Sequence, residues 1–225
     1  MKMERSPENG QEYIPALAYD VLTPLYDTVV GWTTRETLFK NALVEQTGIK
    51  PGHRILDLAC GTGTLTLMLK QREPGAEVIG IDGDPKILGI ARNKAQARNA
   101  AIRFDKGMSF SLPYADGSFD RVVSSLFFHH LSDDNKRRTL SEVARVLKED
   151  GELHIADWGR PANLLMKLGS RFIVMLDGSE TTADNFEGRL PTMVADAGLI
   201  GVGETCRYNT LFGTIRLHRA KKGFT

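Results

Sequence analysis

The run Arg54-Ile55-Leu56-Asp57-Leu58-Ala59-Cys60-Gly61-Thr62-Gly63 constrains the fold more than any other stretch of the chain. Its apolar first half reads as a buried strand, its glycines as a tight turn, and Leu65 to Leu69 continues as an apolar helix. The pattern then repeats. Glu77–Asp82 is a second strand, and Asp84-Pro85 opens a helix to about Asn99, with Asp84 as N-cap and Pro85 in the first helical position. Further strands are expected at Ala101–Asp105, Phe119–Ser125 and Gly151–Asp157, with a helix over Asp133–Lys148. Residues 161–176 and part of Asp184–Ala197 read as helical. Two final strands, Gly201–Tyr208 and Leu211–Arg219, are joined at Asn209-Thr210. Strand and helix alternating in this way imply an α/β fold: a mostly parallel, doubly wound sheet with helices on both faces and an antiparallel C-terminal edge strand.

The 225 residues suit one domain large enough to bury its own core. Twenty-nine basic against 28 acidic residues leave a net charge of +1, which argues against a nucleic-acid partner. Two cysteines, Cys60 and Cys206, make no disulfide framework and point to a reducing compartment. Residues 1–12 are charged and polar and read as a disordered tail without a signal peptide. No apolar run nears the roughly 18 residues of a membrane span. A cytoplasmic location is expected, with peripheral membrane contact left open.

In a doubly wound sheet, ligands bind beyond the carboxyl ends of the strands. The dinucleotide fingerprint would need a third glycine at position 66, which is Thr66. Asp57, four residues before Gly61, suits a positively charged ligand group and not a pyrophosphate. Asp82, 19 residues after Gly63, stands where an acid accepts ribose hydroxyls. A ribose and an ammonium without a diphosphate describe S-adenosyl-L-methionine (SAM).

Ile55 to Gly63, Gly80-Ile81-Asp82-Gly83-Asp84-Pro85, Leu112 to Asp120, Val123 to Leu131 and Leu147 to Leu153 occur in order along the chain. Together they resemble the motifs of class I SAM-dependent methyltransferases, most closely the ubiquinone/menaquinone-type small-molecule branch. The resemblance runs from about Tyr19 to Trp158, with Ala59 where a glycine is commoner. It implies a Rossmann-like seven-stranded sheet over 51–225, an N-terminal helical lid over 13–50, and a helical insert on the substrate side over 160–198. It also implies SAM as cofactor, S-adenosyl-L-homocysteine as product, and a small, partly apolar acceptor methylated on oxygen, nitrogen or carbon. A monomer or a homodimer would fit.

By the same resemblance, Asp57 anchors the methionine ammonium, while Ala59, Cys60, Gly61 and Gly63 bring backbone to the methionine. Asp82 takes the ribose, and Gly83, Met108, Ser109, Phe110 and Ser124 complete the cofactor contacts. Met108 stands where an acid often holds the adenine amino group; a thioether accepts hydrogen bonds poorly, so Ser109 or backbone carbonyls would have to read it. His129 and His130 are the candidate bases for an acceptor that needs deprotonation. On an extended segment they would point to opposite sides, and no spacing suggests a metal. Phe128, Trp158, Tyr19 and Tyr26 are the candidate acceptor contacts. Three rival readings stay open: a lipid-headgroup N-methyltransferase, a SAM-binding protein without turnover, and a nicotinamide-dependent enzyme.

Overall fold

The computed structural model describes residues 36–160, 188–210 and 213–223. The expected tail, most of the expected lid with Tyr19 and Tyr26, and most of the 160–198 insert lie outside these residues.

Among the described residues, seven strands form one sheet. In chain order they are β1 (Arg54–Leu58), β2 (Glu77–Asp82), β3 (Arg103–Lys106), β4 (Phe119–Ser125), β5 (Leu147–Gly159), β6 (Leu199–Asn209) and β7 (Thr214–Lys222). Their spatial order is β3-β2-β1-β4-β5-β7-β6. β1 to β5 run parallel, and β7 is antiparallel to both of its neighbours. The antiparallel strand expected at the edge therefore lies one place in from it, and β6 forms the edge. The strand order reverses between β1 and β4, which opens a crevice at their carboxyl ends.

Among the described residues, five α-helices cover the sheet: α1 (Glu36–Gln46), α2 (Thr64–Arg72), α3 (Pro85–Ala97), α4 (Asp133–Val146) and α5 (Leu190–Asp196). On one face, Phe39, Leu43 and Val44 of α1 pack with Ile55, Leu65, Leu69, Ile215 and Leu217. This part of the expected lid is thus a core helix. On the other face, Leu140, Val143 and Val146 of α4 and Leu190, Met193 and Val194 of α5 cover Leu56, Ile79, Val122 and Ile155. The described part of the expected insert also belongs to the core. Asp84 caps α3 as expected, its carboxylate accepting from the Lys86 N–H at 2.8 Å. α4 stops two residues early because Leu147 turns extended, is buried, and pairs with Phe119. Among the described residues no helix is long and apolar enough to cross a membrane.

Candidate cofactor and acceptor site

β1 delivers Asp57 to the crevice. Asp57 is only 1% exposed, and the Thr66 hydroxyl donates to its Oδ2 at 2.6 Å. Burial pushes the carboxyl up to about 7, against the opposing pull of Thr66 and Lys40. Thr66 holds the position where a dinucleotide fingerprint has its third glycine. Here that position supplies a hydroxyl to the acid.

The turn that follows bends through three left-handed positions, Ala59 (φ 57°), Gly61 (φ 53°) and Gly63 (φ 75°). A Cβ on Gly63 would sit 3.0 Å from Ala91 Cβ and 3.2 Å from the Phe104 ring, so α3 and β3 also require glycine there. Ala59 is the only one of the three with a side chain, in a conformation that costs an L-residue roughly 1–2 kcal/mol. Ala59→Gly is therefore expected to leave stability unchanged or raise it by up to about 1 kcal/mol, after the entropy cost of glycine. Gly63→Ala is expected to lose about 1–3 kcal/mol through strain and overpacking. Urea midpoints of the two variants check both signs.

Cys60 offers the turn its backbone, donating its N–H to the Ile81 carbonyl at 2.9 Å. Its thiol is buried among Leu67, Leu88 and Phe104, and burial raises its pKa far above the usual thiol range. Gly80 explains the fit: a Cβ there would lie 2.8 Å from Phe104 and 2.9 Å from Cys60 Sγ.

Asp82 ties three segments together. Its Oδ2 accepts from Gly61 N–H at 2.9 Å, its Oδ1 from Asp84 N–H at 3.0 Å, and its carbonyl from Gly107 N–H at 3.1 Å. Desolvation raises the pKa of its carboxyl, while the Asp84 and Gly61 amides oppose the shift. Gly83 adjoins it, and Met108 begins the loop after β3, bridged to Ser111.

Other predicted cofactor contacts are engaged elsewhere. Ser109 is 8% exposed and its hydroxyl is 2.9 Å from that of Thr139 on α4. The Phe110 ring lies under the Arg138 guanidinium at 4.6 Å. Ser124 is fully buried and donates to the Leu58 carbonyl at 3.1 Å, so its hydroxyl joins β4 to β1 inside the sheet.

The carboxyl end of β4 holds the most tightly bonded group of the site. Leu126 takes a left-handed φ of 54°, a strained value for a branched side chain. It turns the next two amides onto Asp157 at the end of β5. Asp157 Oδ2 accepts from Phe127 N–H at 3.2 Å and Phe128 N–H at 2.7 Å. Its Oδ1 accepts from Trp158 N–H at 2.7 Å and lies 2.6 Å from His129 Nδ1. Desolvation pushes the Asp157 carboxyl up, but the charge and hydrogen bond of His129 and the Trp158 amide hold it below the usual range. His129 is 3% exposed.

The histidines lie on a 3-10 turn, Phe128–His130, and not on an extended segment. Their rings therefore lie against each other, with centroids 3.9 Å apart and planes tilted by 41°. His130 as a whole is exposed. Its ring is nevertheless crowded, and desolvation and then the neighbouring His129 charge lower its pKa. Phe128, expected as an acceptor contact, is fully buried in the α4-face core. Trp158 packs in the α1-face core at 7% exposure. Its residue also borders a cavity of about 370 Å³ with Arg160, Leu190, Glu204, Arg216 and His218.

Sequence reasoning passed over Asp157 and Thr66. The signal for the first was an acid inside the apolar run His154-Ile155-Ala156-Asp157-Trp158, where an unpaired charge would be costly.

The model of the methyltransferase domain family matches residues 55–151. A ubiquinone/menaquinone biosynthesis C-methyltransferase of Xanthomonas campestris is 32% identical over 199 residues, covering 79% of this chain and 76% of that protein. The chain belongs to the class I SAM-dependent methyltransferases. A demethylmenaquinone methyltransferase of Thermus thermophilus is 46% identical over 112 residues, half of each chain. Such matches span about half to three fifths of the demethylmenaquinone relatives' own length. A solved SAM-dependent methyltransferase from Aquifex aeolicus shares the methyltransferase fold, with a TM-score of 0.65 at 19% identity, over 90% of this chain and 97% of that one.

Proposed function

We propose that this methyltransferase moves the methyl group of SAM to a ring atom of a small, partly apolar acceptor of the quinol type. The relatives' names support that acceptor class: one acts on demethylmenaquinone and another is a C-methyltransferase of ubiquinone and menaquinone biosynthesis. The observation that carries the reading is the convergence of two desolvated carboxyls, Asp57 and Asp82, on a turn with three left-handed residues.

These residues fit SAM. Asp57 suits the methionine ammonium. Asp82 has lone pairs left for ribose hydroxyls after accepting two amides. Ala59, Gly61 and Gly63 leave the backbone open to close approach. When bound, SAM supplies a methyl group already activated on a sulfonium, so the chain's own work is alignment and exclusion of water.

Asp57 makes cofactor binding depend on pH. In the free protein its carboxyl is protonated below about 7. Pairing with an ammonium requires the carboxylate, so binding below that pH must release a proton. SAM affinity is expected to rise as pH climbs toward 7 and to level off above it. Calorimetry in buffers of different ionisation enthalpy would show the released proton, and a flat affinity from pH 5 to 8 contradicts the assignment.

His130, exposed at the crevice, is the ring that meets the acceptor hydroxyl, and its lowered pKa keeps it neutral at physiological pH. His129, fixed by Asp157, supports it from behind. Incubation with SAM and reduced naphthoquinols, with S-adenosylhomocysteine release as readout, tests the function. Wild-type protein should turn over at least one such acceptor. His130→Ala should lose most of that turnover, by a factor of roughly 10²–10⁴ if proton transfer limits the rate, while binding SAM normally. SAM binding without release of product on any naphthoquinol would reject the acceptor class.

A further inference from the structure

The cavity of about 370 Å³ at the carboxyl end of β5 is lined by residues of two kinds. Its volume falls in the range of small-molecule pockets, roughly 300–1,000 Å³. Trp158, Leu190 and Pro191 are apolar, while Glu204, Arg216 and His218 are polar. Arg216 and His218 stand two residues apart on β7, so they share one face of the sheet. Across the β5–β7 pair, Arg216 lies opposite Asp157 and His218 opposite Ile155. Arg216 is held in place. Its Nε and Nη2 donate to the Arg160 carbonyl at 3.1 and 2.8 Å, and its Nη1 pairs with Glu204. Gly159 makes room for it, since a Cβ there would come within 2.5 Å of Arg216 Cδ. A guanidinium has five N–H donors, so two remain. His218 has the opposite character. Among the described residues its Nδ1 is buried without a hydrogen-bond partner, a state that few buried polar atoms keep. Desolvation and the Arg216 charge lower its pKa, against the pull of Glu204 and Asp157, so the ring is neutral at physiological pH.

We infer that this cavity reads a second oxygen of the acceptor: His218, beside the two remaining donors of Arg216, hydrogen-bonds a ring oxygen on the edge opposite the hydroxyl that meets His130. The inference rests on the quinol reading above. It adds the residue that selects an acceptor with two ring oxygens over one with a single oxygen. β7 lies two strand spacings from β4, or about 10 Å. A ring with oxygens on opposite edges spans such a gap with one hydrogen bond at each end. A hydroxyl suits a neutral imidazole in either tautomer, since it donates to the bare nitrogen and accepts from the protonated one. With no hydrogen bond holding Nδ1 among the described residues, the ring can turn about its Cβ–Cγ bond to meet the ligand. Trp158, Leu190 and Pro191 supply apolar surface for the face of the acceptor ring. The same site penalises an acceptor that lacks the second oxygen, because His218 and Arg216 then stay unpaired beneath it.

The test uses protein loaded with S-adenosylhomocysteine, which has no methyl group to transfer. Anaerobic calorimetry compares 1,4-dihydroxynaphthalene with 1-naphthol, which lacks the second oxygen, on wild type, His218→Leu and His218→Asn. Wild type should bind the diol more tightly, by roughly tenfold or more. His218→Leu should weaken the diol by roughly tenfold and leave 1-naphthol unchanged or improved, so that the preference collapses. His218→Asn, whose amide stands near the place of Nδ1, should keep most of the preference. Melting curves give a second readout. Because Nδ1 has no partner in the ligand-free protein, His218→Leu should melt no lower than wild type. A lower melting temperature with unchanged affinities would mark a structural histidine and overturn the assignment. Equal binding of both ligands by wild type, or equal losses on both in His218→Leu, would overturn it too and leave the acceptor class intact. A wild-type protein that binds S-adenosylhomocysteine but neither ring would instead overturn the quinol reading, and the His218 role with it. If His218→Leu does not fold, His218→Met carries the same affinity comparison with the same outcomes.

Discussion

Asp157→Ala is expected to destabilise the protein by about 3–5 kcal/mol, the cost of breaking a buried pair and leaving its partners alone. One carboxylate accepts three backbone amides and faces one imidazole within 3.2 Å. Alanine leaves all four without that partner in a dry interior. Asp157→Asn should lose less, because one carbonyl oxygen still accepts, while its NH₂ group opposes a donor. Both variants should also disturb the Leu126 turn, whose left-handed φ is held by the amides that follow it. The pH dependence has a definite sign. The folded-state pKa of Asp157 lies below its ordinary value, so its stabilisation is present above that value, near 3.8, and is lost as pH falls through the folded pKa. Urea unfolding of wild type and both variants checks the ordering. A loss under 1 kcal/mol for Asp157→Ala would mean that these contacts carry little of the stability.

Asp82→Ala should weaken SAM binding by about 1–3 kcal/mol, or roughly tenfold to a hundredfold. Two effects combine. The ribose hydroxyls would lose the acceptor proposed for them, and the Gly61 and Asp84 amides lose the group that fixes the turn. Asp82→Asn separates the two, since its carbonyl keeps one amide while its charge and second acceptor are gone. Calorimetry with S-adenosylhomocysteine reads the effect without an acceptor. Unchanged affinity in the alanine variant would remove Asp82 from the cofactor site.

Much of this architecture could be read from the residues. The strand ends at Asp57 and Asp82, the cap at Asp84 and the alternation that implies a parallel sheet are local signals: short apolar runs punctuated by glycine and by one acid. The excess of Thr66 over the dinucleotide pattern was also visible, although its use was not. Contacts across the sheet were less legible. Ser124 reads as a polar residue near a motif, yet it faces a neighbouring strand's carbonyl. Phe128 reads as an aromatic at the mouth of a site, yet the 3-10 turn directs it into the core. One residue's difference in backbone conformation inverts which side chain is buried, and periodicity does not register it.

The sequence by itself determined the fold class and the position of the two strand-end acids, Asp57 and Asp82, because both depend on contacts within a few residues of a strand end. Only the tertiary structure decided which partners those acids have. Asp157 and His129 are 28 residues apart in the chain. Lys40 and Lys94 come from helices on either side of the glycine turn in sequence, and they share one cavity. The insertion of β7 between β5 and β6 was decided at the same level. Pairing of this kind is set by how strands and helices pack to bury their apolar faces. A buried charge then survives only where that packing happens to deliver its counterpart.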